Sequence, residues 1–239
     1  MKKVLSILMI LCMMCALAAC GTATPQNENS TPESTAPTES SDTAADEPSV
    51  PVIVSDEDSE DNASELEESK ILIAYFSRAD ENYGVGVIEK GNTEIIAEMI
   101  AEETGGELFH IERDTPYPAE YEACTDEAKQ EQSDHARPNL KADVDISDYD
   151  IIYLGYPTWW GDMPMPVYTF LEAHDWNGKT VIPFCTHAGS GLSNTETAIK
   201  DTCSGATVLD GLAVVGTTAQ NNRDEAESSV TEWLEQIGQ

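Results

Sequence analysis

Ile71-Leu72-Ile73-Ala74-Tyr75-Phe76 is an unbroken apolar run. A strand with one wet face alternates polar and apolar side chains, so a continuous run reads as a strand buried on both faces, as in a parallel sheet covered by helices. Asp150-Ile151-Ile152-Tyr153-Leu154-Gly155 and Thr180-Val181-Ile182-Pro183-Phe184-Cys185 read the same way. Further strands are expected at Glu107–Ile111 and Val208–Gly216. Between them the period is helical. Thr93–Glu103 sets Ile95, Ile96, Met99 and Ile100 on one face before a Gly105-Gly106 stop. Pro164–His174, Leu192–Cys203 and Glu225–Ile237 read as helices, whereas Glu112–Ser147 is a polar, proline-punctuated excursion with one helix near Ala119–Gln132. Five strands interleaved with helices predict an α/β fold, a doubly wound parallel sheet with helices on both faces.

Ligands in such sheets sit at the carboxyl ends of the strands, where three loops stand out. The first, Ser77–Asn92, ends in Gly91-Asn92-Thr93 at a helix N-terminus, where free N–H groups and the helix dipole favour a phosphate. Ser77 and Thr93 add hydroxyls, although an ordinary capped turn accounts for the same residues. The second loop, Pro157-Thr158-Trp159-Trp160-Gly161, offers two indoles on which a planar ligand would stack; one Trp is expected in the core, since adjacent loop side chains seldom face one interior. In the third, Thr186-His187-Ala188-Gly189-Ser190-Gly191, small residues let backbone N–H groups approach a ring edge. His187 alone is more often structural than catalytic.

These loops resemble the flavodoxin superfamily, and within it the long-loop branch with a Trp-Trp pair, along nearly all of residues 70–239. The likeness rests on Tyr75-Phe76-Ser77-Arg78, Gly91-Asn92-Thr93, Gly155-Tyr156 running into the Trp-Trp loop, Met163-Pro164-Met165-Pro166, and Pro183-Phe184-Cys185 running into the third loop. It implies strand order 2-1-3-4-5 and FMN as cofactor. By the same likeness Ser77, Arg78, Asn92 and Thr93 would hold the phosphate, Pro157–Gly161 would flank the isoalloxazine, and Thr186–Gly191, including Gly189, Ser190 and Gly191, would meet its pyrimidine edge. In one respect the chain departs from the pattern. A compact flavodoxin runs from the serine almost directly to the glycine and threonine, whereas here Ala79–Lys90 intervene and leave Arg78 the least secure of these ligands. No Asp-rich metal site, Ser-His-Asp order or Walker loop competes for these positions.

Upstream the composition changes. Lys2 and Lys3 precede an apolar run, Val4–Leu17, too short to span a bilayer and ending in small residues: a signal peptide over 1–20. Leu17-Ala18-Ala19-Cys20-Gly21 resembles the bacterial lipobox, which implies a diacylglyceryl group on Cys20 and an extracytoplasmic, membrane-anchored protein. Residues 21–69 hold fourteen acidic and no basic or aromatic residues among Ser, Thr and Pro, which reads as a disordered, extended linker. That leaves 31 acidic against 10 basic residues in 70–239, a surplus of 21 negative charges that excludes nucleic acid as a partner and favours cationic proteins or neutral small molecules. Cys124, Cys185 and Cys203 lack any CxxC spacing, so neither a dithiol centre nor a zinc site is expected, and Cys185 reads as strand packing.

Negative charge around a flavin disfavours its reduced anion, so the expected role is a low-potential electron carrier serving a redox partner protein or small acceptor. Two alternatives remain open: an FMN-dependent reductase of quinones or similar acceptors, with His187 delivering a proton, and a flavin-free surface binding module. Asp201-Thr202-Cys203-Ser204-Gly205-Ala206-Thr207 is also similar to the pattern at which some exported proteins receive FMN covalently on the final threonine, here Thr207; a helix stop at Gly205 accounts for it equally.

Overall fold

Leu72, Ala74 and Phe76 bury themselves on one face of the sheet while Ile73 and Tyr75 do so on the other, the two-sided burial that the apolar run requires. The computed structural model describes residues 69–239; the signal segment, Cys20 and the acidic stretch to residue 68 lie outside the described residues. The strands are β1 (Ile71–Tyr75), β2 (Asp80–Asn82), β3 (Gly86–Ile88), β4 (Glu107–His110), β5 (Ile151–Pro157), β6 (Thr180–His187), β7 (Thr207–Val208) and β8 (Leu212–Val215). The helices are α1 (Asn92–Thr104), α2 (Tyr121–Asp134), α3 (Met165–Ala173), α4 (Thr195–Thr202), α5 (Gly216–Asn221) and α6 (Arg223–Ile237).

The main sheet runs β4-β1-β5-β6-β7, with β8 also on β6, and every pairing in it is parallel. With β7 and β8 counted as one interrupted strand, this is the expected order 2-1-3-4-5. One face packs on α2, α3 and α4 through Cys124, Val167, Phe170 and Ile199. The other packs on α1 and α6 through Ile96, Ile100, Val230 and Trp233. Buried indoles keep their N–H groups bonded: Trp176 donates to the Leu171 carbonyl at 2.7 Å and Trp233 to that of Asp210 at 3.1 Å. Cys124, Cys185 and Cys203 are all buried free thiols.

Four details differ from the sequence reading. The fifth strand, expected as Val208–Gly216, is split: β7 pairs with the start of β6 and β8 with its end. The Val181 carbonyl accepts from the Leu209 N–H at 3.0 Å, so Pro183, two residues on, faces the same neighbour, and proline has no N–H for the next rung. Gly216 belongs not to that strand but to α5, whose Gly-Thr-Thr-Ala-Gln-Asn sequence carries no apolar period. Finally, α4 begins at Thr195 instead of Leu192, and Ala79–Lys90 contains the antiparallel hairpin β2–β3.

Gly155 sits where β5 passes Phe184, and a Cβ there would stand 2.2 Å from the phenyl ring. Gly155→Ala therefore forces a buried ring to move, and should destabilise the domain by about 1–3 kcal/mol. Urea denaturation is expected to give a lower midpoint at unchanged slope.

Candidate functional site

Four buried hydroxyls, those of Ser77, Thr93, Thr186 and Thr195, gather at the carboxyl end of the sheet. Ser77 follows β1, and its Oγ accepts the Glu94 N–H at 3.1 Å, satisfying one of the donors that the first turn of α1 cannot place inside the helix. Thr93 Oγ1 meets Thr186 Oγ1 at 2.8 Å and so ties α1 to β6. Gly91 closes the loop between them. A Cβ on it would lie 2.1 Å from Ser77 Oγ and 2.5 Å from the Arg78 carbonyl oxygen, so the backbone approaches as only glycine allows. Ala79–Lys90 thus leaves and rejoins the strand end at one point, and the helix N-terminus keeps its place despite the insertion.

The insertion stands beside α2. Glu81 N–H donates to the Ala119 carbonyl at 3.2 Å, and the Glu81 carboxylate accepts the Tyr121 N–H at 2.9 Å. Asn82 Nδ2 donates back to the Ala79 carbonyl at 3.1 Å, and the Tyr83 and Tyr121 rings lie 6.1 Å apart. Arg78 donates to the carbonyls of Glu81, Pro118 and Ala119 at 2.7, 2.8 and 2.9 Å.

The two tryptophans divide their work. Trp159 is half-buried and meets Phe76 and Tyr117 edge to face, with ring centroids 5.5 and 5.3 Å away, which is the core role expected of one indole. Trp160 is 53% exposed. Its φ of 52° and the 78° of Gly161 form the tight turn that the reciprocal Trp159–Asp162 backbone bonds close. A bulky side chain in the left-handed region costs about 1–2 kcal/mol. Against that, the Trp160 indole N–H donates to the Thr125 carbonyl at 3.1 Å and the Lys129 ammonium lies 4.6 Å from the ring centre. Thr158 joins this loop to the third one, since its N–H donates to the Thr186 carbonyl and its hydroxyl to that of Gly191, both at 2.8 Å.

Between these loops lies a cavity of about 420 Å³, within the usual range for small-molecule sites. Of the residues expected at a site, Arg78, Asn92, Pro157, Thr158, Trp159, Trp160, Thr186 and His187 form its wall. Ser77 and Thr93 stand behind it with their hydroxyls engaged, while Gly161, Gly189, Ser190 and Gly191 belong to the flanking loops and are not part of the wall. The insertion, whose Asn82-Tyr83-Gly84 the sequence suggests could cover or widen the site, adds Asn82 and Tyr83 to the wall, while sequence reasoning missed the Tyr121–Ala128 face of α2 and the Val215-Gly216-Thr217 corner. Only the Tyr residues carried a signal, as aromatic side chains in polar segments. A groove of about 610 Å³ beside α1 and α6 is larger, but Glu102, Glu103, Asp224, Glu227 and Glu232 line it and no aromatic side chain does, so it suits neither an anion nor a planar ring.

Electrostatics single out the cavity. Among the described residues, Arg78, Lys129, Lys179 and Lys200 are the cations with no carboxylate in ion-pair range, and two of them, Arg78 and Lys129, border this site. Asn92 Oδ1, an acceptor, is buried with no hydrogen-bond partner at the start of α1, whose first N–H groups have no acceptor inside the helix, that of Glu94 being taken by Ser77. An anionic head at α1 and a flat body against the Trp loop therefore match the donor set. Thr207 does not take part. It pairs with Thr180 at the start of β6, seven residues from His187 and so about 23 Å from the cavity end of that strand.

His187 Nδ1 accepts the Gly189 N–H at 2.9 Å, which places the proton of the neutral ring on Nε2. Burial pushes the His187 pKa below its ordinary 6.5. Below pH 6.5 the unfolded chain takes up a proton that the native ring resists, so this residue makes stability fall as pH drops from 6.5 through the folded value. NMR titration should place the His187 midpoint below 6.5, and His187→Gln should reduce the loss of urea midpoint between pH 7 and pH 5.5.

The flavodoxin family model matches residues 70–237. A protein provisionally named a flavoprotein, from Bacteroides eggerthii DSM 20697, shares 30% identity over 72% of this chain and 99% of its own, with a TM-score of 0.58. Another so named, from Bacteroides uniformis ATCC 8492, shares 30% identity over 68% of this chain and 98% of its own, with a TM-score of 0.55. A flavoprotein from Lactobacillus acidophilus NCFM, solved in complex with FMN, shares 24% identity over 64% and 97% of the two chains, with a TM-score of 0.49. Among curated proteins, none matches. By the extent of that family match, together with the order of its sheet, the chain belongs to the flavodoxin family.

Proposed function

We propose that the cavity holds FMN and that the protein carries electrons outside the cytoplasm, tethered to the membrane by a lipid on Cys20. The observation that carries this reading is the pairing of an anion-ready helix N-terminus with an aromatic slot, beside two cations, Arg78 and Lys129, that have no carboxylate partner among the described residues of an acidic domain. The first-turn N–H groups of α1, with Asn92, would hold the phosphate, and Trp160 and the Thr186–Ala188 backbone would border the ring. The bound flavin supplies the redox chemistry. The chain's own residues bind, orient and exclude water. His187, neutral at physiological pH with its proton on Nε2, serves as a hydrogen-bond donor and not as a charged acid. The acidic surface steers a cationic redox partner.

A second reading, an FMN-dependent reductase of quinones or similar planar acceptors, is favoured by the exposed apolar rim of the mouth: Tyr83, Trp160 and Val215 border the cavity at 66, 53 and 41% exposure. Such a rim would admit a flat, uncharged acceptor, which a protein that passes electrons only to another protein does not need.

The purified domain should turn yellow with FMN, and FMN at 100 times its dissociation constant should stabilise it by about 2.7 kcal/mol. Anaerobic titration should give a reduction potential more negative than that of free FMN if the domain's surplus of 21 negative charges outweighs the nearby Arg78 and Lys129, as the carrier reading requires. Steady-state quinone turnover with a nicotinamide donor would favour the reductase over the carrier. A colourless protein whose melting is unmoved by FMN would leave a flavin-free binding module instead.

A further inference from the structure

Arg78 borders a site fitted to an anion, yet its guanidinium is occupied elsewhere. Both Nη2 hydrogens and one on Nη1 go to three backbone carbonyls, one inside the insertion at Glu81 and two on the segment before α2, at Pro118 and Ala119. These are the only ties that bind the base of the insertion to both neighbouring segments through one side chain among the described residues. Everything else that holds the hairpin is smaller in reach: Glu81 bridges to Ala119 and Tyr121, Asn82 bonds only to carbonyls of residues 78–80, and Gly84 leans on the Thr217 methyl, which a Cβ would meet at 3.2 Å.

We infer that Arg78 is a positioning residue, which pins the 80–88 hairpin against the 118–121 segment as one wall of the cavity and serves the ligand through that wall, without bonding its phosphate. The reason is geometric. Turning the guanidinium toward α1 would break three hydrogen bonds to carbonyls at once, and the planar fork that spans them has no equivalent in another cation. Lysine at this position would keep the charge and lose the span. The wall matters because Asn82 and Tyr83, both carried by the hairpin, form part of the cavity, as does Tyr121 on the pinned side, whose ring lies 6.1 Å from that of Tyr83.

This rests on the flavin reading for its ligand, but not for its structural half, so the test has two independent arms. In the first, hydrogen exchange is followed at residues 79–90 of the flavin-free protein. Arg78→Lys and Arg78→Ala should both speed exchange there by about tenfold or more, since local opening no longer has to break the three bonds. Glu81→Ala, which keeps Arg78 and removes the acceptor of the Tyr121 N–H, should loosen the same amides to a smaller degree, and covers the case in which Arg78→Ala fails to fold. In the second arm, dissociation constants of FMN and of riboflavin, which lacks the phosphate, are measured for the wild type and Arg78→Lys. A positioning role predicts that both flavins weaken by the same factor. Wild-type exchange in Arg78→Lys, or a loss confined to FMN, would overturn it. If neither flavin binds the wild type, the flavin reading falls while the exchange arm still decides the role of Arg78.

Discussion

Burial of the parallel sheet on both faces is the constraint from which the rest follows. Once Leu72 and Ile73, neighbours in sequence, must both be dry, each strand needs helices on either side, and each connection must cross from one end of the sheet to the other. Polar groups can then gather only where strands end and helices begin. Ser77, Thr93, Thr186 and Thr195 are found at that end, bonded to helix N–H groups, to a carbonyl or to one another, so the hydroxyls that shape the cavity also complete the sheet-to-helix turns.

The insertion of Ala79–Lys90 tests how firmly that arrangement holds. A longer loop between β1 and α1 would ordinarily free the helix N-terminus from the strand end. Here the close contact of Gly91 with Ser77 and Arg78 removes that freedom, and the added residues project sideways toward α2 and α5. The site therefore gains a wall without losing its anion-facing helix end. The α2 side is stiffened in turn by Arg113, whose guanidinium pairs with Glu127 and Glu131 and stacks 4.0 Å above the Tyr117 ring, the ring that meets Trp159. Packing and charge thus support the Trp loop from beneath.

Charge distribution gives the cavity its character. The domain carries 31 acidic residues against 10 basic ones, and most cations in the described part are spent on carboxylates: Lys90 on Glu98, Arg137 on Glu172, Arg223 on Glu102 and Glu227. Exposed pairs of this kind add little stability. Their consequence is to leave Arg78 and Lys129, bonded to carbonyls and to an indole face, as sources of positive potential beside the cavity.

What the sequence determined by itself was the part written in local pattern. Unbroken apolar runs specify buried parallel strands, helical periods specify α1, α2, α3 and α6 to within two or three residues at each end, and the Gly, Thr and Trp loops mark the ligand end of the sheet. The break in the fifth strand was also legible, at Pro183, but only with knowledge of which neighbour that residue faces. Tertiary structure alone decided the rest. The hairpin of 80–88 and helix α5 carry no apolar period, because they are held by contacts to other segments. That Arg78 spends two of its donors on carbonyls about forty residues away, that Trp159 turns inward while Trp160 stays out, and that Thr207 lies at the far end of β6 are outcomes of strand pairing across long separations, and no local pattern encodes such distances.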